Sequence, residues 1–133
     1  MTHLPNVNLS KALLANAALS LVTGVLVAAF ASQFALAFRL GSALLFYVFA
    51  IVLIVHSVIL AAVHKRSNAH FWDKLNFLCI APYPLLLVAY LLFGPDRPVW
   101  LSAIVAADAL AVGLVALWHL VALRASRFAA IDQ

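Results

Sequence analysis

The chain has 133 residues, of which 68% are hydrophobic and 9% charged, against about 25% charged in an ordinary soluble domain. Eight Lys or Arg and four Asp carry all the charge, there is no glutamate, and the net charge is +4; mean hydropathy is +1.15. A small domain has a high surface-to-volume ratio, and so few charges cannot keep such a surface in water. Composition therefore excludes a soluble enzyme, a nucleic-acid-binding domain, a disordered chain and a disulfide-rich secreted module, and it leaves an integral membrane protein. Its apolar runs show no polar/apolar alternation and an open sheet cannot span lipid, so an all-α membrane protein is expected.

A hydrocarbon core of ~30 Å takes about 20 apolar residues of helix, and the chain offers four such runs. The first, Ala12 to Phe38, predicts a helix at about residues 11–33, entered from Ser10 as N-cap and fading at Ser32 and Gln33. Lys11, this run and Ala29-Phe30-Ala31 also resemble a signal peptide with a small-residue cleavage site. The apolar run continues past that site, so the first helix is expected to stay. Ala17, Ser20, Gly24, Ala28 and Ala31 recur every three or four residues and share one face, with Gly24-x-x-x-Ala28 at its centre.

Residues 33–41 read as a short loop. The second run, Leu40 to Val63, predicts a helix at about 41–64, with Ser42, Phe46, Phe49, Leu53 and His56 on one inward face. The polar segment His64 to Lys74 follows. The third run, Leu75 to Pro95, predicts a helix at about 74–94, in which Pro82 and Pro84 flank Tyr83 and remove two backbone donors, so a kink or short unwound stretch is expected. Gly94-Pro95-Asp96-Arg97-Pro98 is a turn of helix breakers. The fourth run, Pro98 to Leu123, predicts a helix at about 98–124, with Ala106, Ala109, Gly113 and Ala116 on one face. Together these form a single membrane domain, an antiparallel four-transmembrane-helix bundle. Its small-residue faces read as internal seams or as close-approach sites for a partner.

Lys11, Lys65, Arg66, Lys74, Arg124 and Arg127 fall on one side of this topology, Arg39 and Arg97 on the other. That imbalance puts both termini in the cytoplasm. Trp72 and Trp100 sit at opposite interfaces, as aromatic belts do. Short loops favour a bacterial inner membrane.

Asp108 is the most informative residue. Ten residues past Pro98, at ~1.5 Å each, it lies ~15 Å deep, where a charged Asp costs ~2.5–3.5 kcal/mol on insertion scales. Tyr83 reaches the same level from the third helix, so a Tyr83–Asp108 hydrogen bond is expected. His119 follows Asp108 by three turns plus only ~20° and shares its face. Asn16, Ser20, His56, Asn76 and His119 form a polar cluster in the cytoplasmic half. That cluster reads as interhelical glue, or as the lining of a proton path, a small-solute cavity or a quinone site. His56 and His119 at similar depth also admit bis-His haem ligation. His3, His64 and His70 are loop histidines that face solvent or hold a surface metal.

The length, the four-span layout and Arg39-Leu40-Gly41 opening the second span, with Ala43-Leu44-Leu45 behind it, resemble the small bacterial DoxX-like membrane proteins. The resemblance implies the four-helix fold and carries over no catalytic residue. Phosphate-loop, dinucleotide, zinc-protease and nucleophile-elbow motifs are absent, so no enzyme and no resident cofactor are expected. The reading is a small polytopic membrane protein in the lipid bilayer, acting as an accessory or scaffold subunit in a homo-oligomer or larger complex. Its packing residues would be Gly24, Ala28, Ala109 and Gly113. The alternatives are a small-solute or proton-coupled transporter using Asp108 with His119 or His56, and a haem or quinone binder.

Overall fold

The computed structural model describes residues 9–64 and 69–131. These residues form a helical bundle of α1 (Leu9–Ala29), α2 (Ala31–Ala37), α3 (Leu44–Val63), α4 (Ala69–Ile80), α5 (Pro82–Phe93) and α6 (Val99–Ile131), with no strand among them. Four segments are long and apolar enough to cross a membrane: Leu9–Ala29, Leu44–Val63, Lys74–Phe93 and Val99–Ala125. This is the pattern of a multi-pass membrane protein.

The boundaries differ from the sequence expectation in instructive places. Ser10 lies inside α1 rather than capping it. The expected loop at 33–41 is half helical, because Phe34 on α2 is buried with Leu101 and Val105 of α6 and holds that turn in place. α2 ends in a Schellman motif, with Leu40 N–H bonded to Ala35 O at 2.8 Å and Arg39 N–H to Leu36 O at 3.1 Å. The residue in the left-handed position is Arg39, at φ 56°, not the nearby Gly41, whose Cβ position is open space. The Ser42 hydroxyl then accepts the Leu44 N–H at 3.1 Å and starts α3.

The third span is broken at Ala81 into α4 and α5, as its prolines dictate. Pro82 and Pro84 supply no N–H to the carbonyls of Leu78 and Ile80. Ala81 keeps helical dihedrals (φ −62°, ψ −40°), so the chain bends without unwinding. Arg97 secures the next turn. Its guanidinium donates to Tyr90 O at 2.9 Å, Pro95 O at 3.1 Å, Ser102 Oγ at 3.0 Å and also Leu91 O. It also lies 4.7 Å from the Tyr90 ring centroid. A cation there adds donors to the carbonyls at the end of α5 and suits the negative end of its dipole. α6 continues to Ile131, beyond the expected end at 124, so the expected tail is largely helical.

α1 is the centre of the packing. α3 lies along it, with Leu13, Ala17 and Leu60 in one buried cluster. At Gly24 the two backbones come so close that a Cβ would sit 2.9 Å from Ile54 Cγ1 and 3.1 Å from Ala50 O. α5 and α4 pack on α6, and α6 on α1, but α3 makes no comparable approach to α5 or α6. A cleft therefore separates α3 from the α5–α6 pair, with α1 as its floor.

Candidate functional site

Two cavities occupy this cleft. The first, about 310 Å³, is lined among others by Asn16, Ser20, His56, Cys79, Tyr83 and Asp108. The second, about 400 Å³, is lined largely by Phe34, Phe38, Phe46, Phe49 and aliphatic side chains, together with Tyr83 and Asp108. Leu19, Thr23, Phe49, Tyr83 and Asp108 belong to both walls. The cavities thus meet end to end. The first extends toward the end of the bundle holding the start of α1, the second toward the end holding α2.

The junction is built by three elements. Tyr83, just past the α4–α5 bend, donates its hydroxyl to Asp108 Oδ2 on α6 at 2.9 Å, the bond expected from matched depth. Thr23 on α1 completes the group with a long 3.5 Å bond to Asp108 Oδ1. Nothing in the sequence marks Thr23, because one threonine in an apolar run is an ordinary feature. Phe49 of α3 stacks over the Tyr83 ring across the cleft, with centroids 6.4 Å apart. Asp108 and Tyr83 are both half-buried. Each carboxylate oxygen accepts one hydroxyl and keeps a lone pair free.

The residues of the expected polar cluster meet around Asn76. Asn16 donates to Asn76 Oδ1 at 2.6 Å, and the other end of the Asn76 amide bonds His119 Nε2 at 2.9 Å. His119 Nδ1 lies 3.0 Å from Val115 O. A carbonyl only accepts, so Nδ1 carries the proton and Nε2 accepts from Asn76, a directional chain across three helices. His119 is 0% exposed and Asn16 and Asn76 are each 2% exposed. His119 shares the face of Asp108 but lines neither cavity, and both of its nitrogens are engaged. His56 lies on the wall of the first cavity, with Nδ1 3.4 Å from Ser20 Oγ, and its ring also interacts with the Asn76 side chain.

The expected inward face of α3 lines the cleft, and a second face packs on α1. Ala50, Ser57, Leu60 and Val63 are buried against α1, whereas Phe46, Phe49, Leu53 and His56 are half-buried at the cleft, and Ser42 is exposed. The reason is Gly24, which draws α3 in along its small side chains. Of the expected packing residues, Gly24 and Ala109 are buried, while Ala28 and Gly113 are half-buried. Gly113 has open room, since a Cβ there would be 3.9 Å from Pro84 Cβ. Ala106 is exposed, and Val105 takes its place in the seam. His64 Nδ1 lies 2.6 Å from Ala61 O and so caps its own helix. His3, Lys65, Arg66 and the side chains of His70, Trp72 and Arg127 lie outside the described residues.

Comparison with protein-family models, with curated proteins and with solved structures finds no match for this chain.

Proposed function

We propose that this chain is a multi-pass membrane protein, an antiparallel four-helix bundle with both ends on the cytoplasmic side, that carries a small solute coupled to proton movement at Asp108. The antiparallel order is supported by the partners along α1 and α2. Leu13 packs with Leu60, Gly24 with Ala50, and Phe34 with Phe46 at 5.6 Å between centroids. The orientation is supported by Lys11, Lys74 and Arg124 on one side of the topology against Arg39 and Arg97 on the other.

The observation that carries the functional reading is the position of Asp108 at the junction of two cavities that point to opposite ends of the bundle. An ionisable group within a span marks a substrate or ion path by default. Here it sits where a solute or proton moving between the cavities must pass. The small-residue face of α1, one of the two on which the accessory-subunit reading draws, is covered by α3 within the chain. Haem ligation needs imidazole lone pairs, and both nitrogens of His119 are occupied. A quinone head-group seeks donors, and the Tyr83 and Thr23 hydroxyls already serve Asp108.

Cys79, the only cysteine of the chain, lines the first cavity and provides a built-in probe. A membrane-impermeant thiol reagent should label it from the cytoplasmic side alone. Leu87→Cys, in a Cys79→Ala background, should label from the opposite side alone. Absence of labelling from either side, or labelling of both positions from one side, would overturn the carrier reading.

A further inference from the structure

We propose that the solute is an amphipathic organic amine in its ammonium form, seated with its charge on Asp108 and its apolar body among the phenylalanine rings of the second cavity. This inference rests on the carrier reading and names its substrate class.

The charge preference follows from what surrounds the carboxylate. Among the described residues no Lys or Arg lines either cavity, and the hydrogen-bond partners of Asp108 are the hydroxyls of Tyr83 and Thr23. Its two bonds come from neutral hydroxyls, at 2.9 Å and 3.5 Å, and these orient the carboxylate without neutralising it. A carboxylate has about four acceptor positions, two of which are taken here, and Asp108 lines both cavities. A group with several N–H donors and a positive charge fits that remaining demand, and charge-assisted bonds are roughly twice as strong as neutral ones. A neutral alcohol supplies one donor and no charge. An anion is repelled.

The body preference follows from the rings. Phe34 and Phe46 lie 5.6 Å apart between centroids, and Phe38 and Phe46 also 5.6 Å, so three rings cluster at one end of the second cavity. Phe49 and Tyr83 close its other end beside Asp108. Aromatic faces attract cations within about 6 Å and attract them more strongly once water is excluded. The first cavity sets Asn16, Ser20 and His56 into a mostly apolar wall, and these three groups meet the charged end during passage. A volume of about 400 Å³ lies near the lower end of small-molecule sites, which suits a molecule of one or two rings. Ammonium and proton would then compete for one carboxylate. When Asp108 binds the ammonium it releases its proton, and when the ammonium leaves the proton returns, so one positive charge exchanges for another.

The test uses the full chain in lipid nanodiscs, with empty discs subtracted, and a matched pair of probes, phenethylamine and phenethyl alcohol. Titration calorimetry should show the amine binding to the unsubstituted protein about tenfold or more tightly than the alcohol. Asp108→Asn should abolish that preference, Asp108→Glu should retain it, and Phe46→Ala should weaken the amine without removing the preference. Equal affinity for amine and alcohol in the unsubstituted protein would overturn the ammonium assignment and leave the cavity as a neutral-solute site. Binding of neither probe, with Cys79 and Leu87→Cys labelling from opposite sides, would overturn the amine class while sparing the carrier reading.

Discussion

Tyr83 and Asp108, 25 residues apart and on different helices, share a 2.9 Å hydrogen bond at the point where two cavities meet. The bond depends on the bend at Ala81, since α5 restarts at Pro82 and sets the Tyr83 ring between Phe49 and Asp108. A bond of this kind between membrane helices averages well under 2 kcal/mol. Its value here is to hold a carboxylate in place rather than to hold the fold together.

Asp108→Asn should therefore change thermal stability in mild detergent very little, because the amide has the same shape and still accepts one hydroxyl. Asp108→Leu and Tyr83→Phe should each cost about 1 kcal/mol. A large loss in Asp108→Asn would show that the charge itself is needed for folding and would place a cation against it.

The Asn16–Asn76–His119 chain is the structural counterpart. Asn76→Leu leaves two buried polar groups without this partner, and an orphaned buried group costs about 1–3 kcal/mol. We expect a loss of about 2 kcal/mol, with solute binding unchanged, since neither Asn76 nor His119 lines a cavity. In a double-mutant cycle with His119→Leu the effects should be non-additive by about 1 kcal/mol. Simple additivity would mean that the two side chains do not meet.

Two glycines should respond in opposite directions. At Gly24 a methyl group meets Ile54 Cγ1 at 2.9 Å, Ala50 O at 3.1 Å and Leu53 Cβ at 3.2 Å. The isoleucine can turn but the backbone oxygen cannot, so overpacking of about 1–3 kcal/mol should exceed the helix-propensity gain of about 1 kcal/mol. Gly24→Ala should lower the melting temperature. Gly113→Ala, with Pro84 Cβ 3.9 Å away, has only the propensity gain and should raise it.

Arg39 occupies a left-handed backbone position at φ 56°, which costs an L-residue with a Cβ roughly 1–2 kcal/mol. Arg39→Gly should stabilise the chain by about 0.5–1 kcal/mol after the entropy cost of glycine. Gly41→Ala, with open space around the added methyl, should be tolerated. A stability loss in Arg39→Gly would mean that the arginine makes a contact worth more than the strain.

The sequence by itself determined the number of apolar spans, because an uncharged run long enough to cross a bilayer marks each one. It also determined the break at Pro82 and Pro84, a local consequence of two missing N–H groups, and the meeting of Tyr83 with Asp108, because rise per residue sets depth. The turn at 94–98 was equally local. Tertiary structure alone decided how the helices turn about their own axes. Lipid is as apolar as leucine, so hydropathy does not say which apolar face turns inward, and packing decides instead. Gly24 drew α3 against α1 through Ala50 and Ser57, rotating Phe46, Phe49 and His56 to the cleft edge. That rotation opened the gap that became two cavities and set His56 on the wall of the first, beside Ser20. It also left Asp108 at their junction with Thr23, a residue whose part depends on three helices meeting and on no motif in the chain.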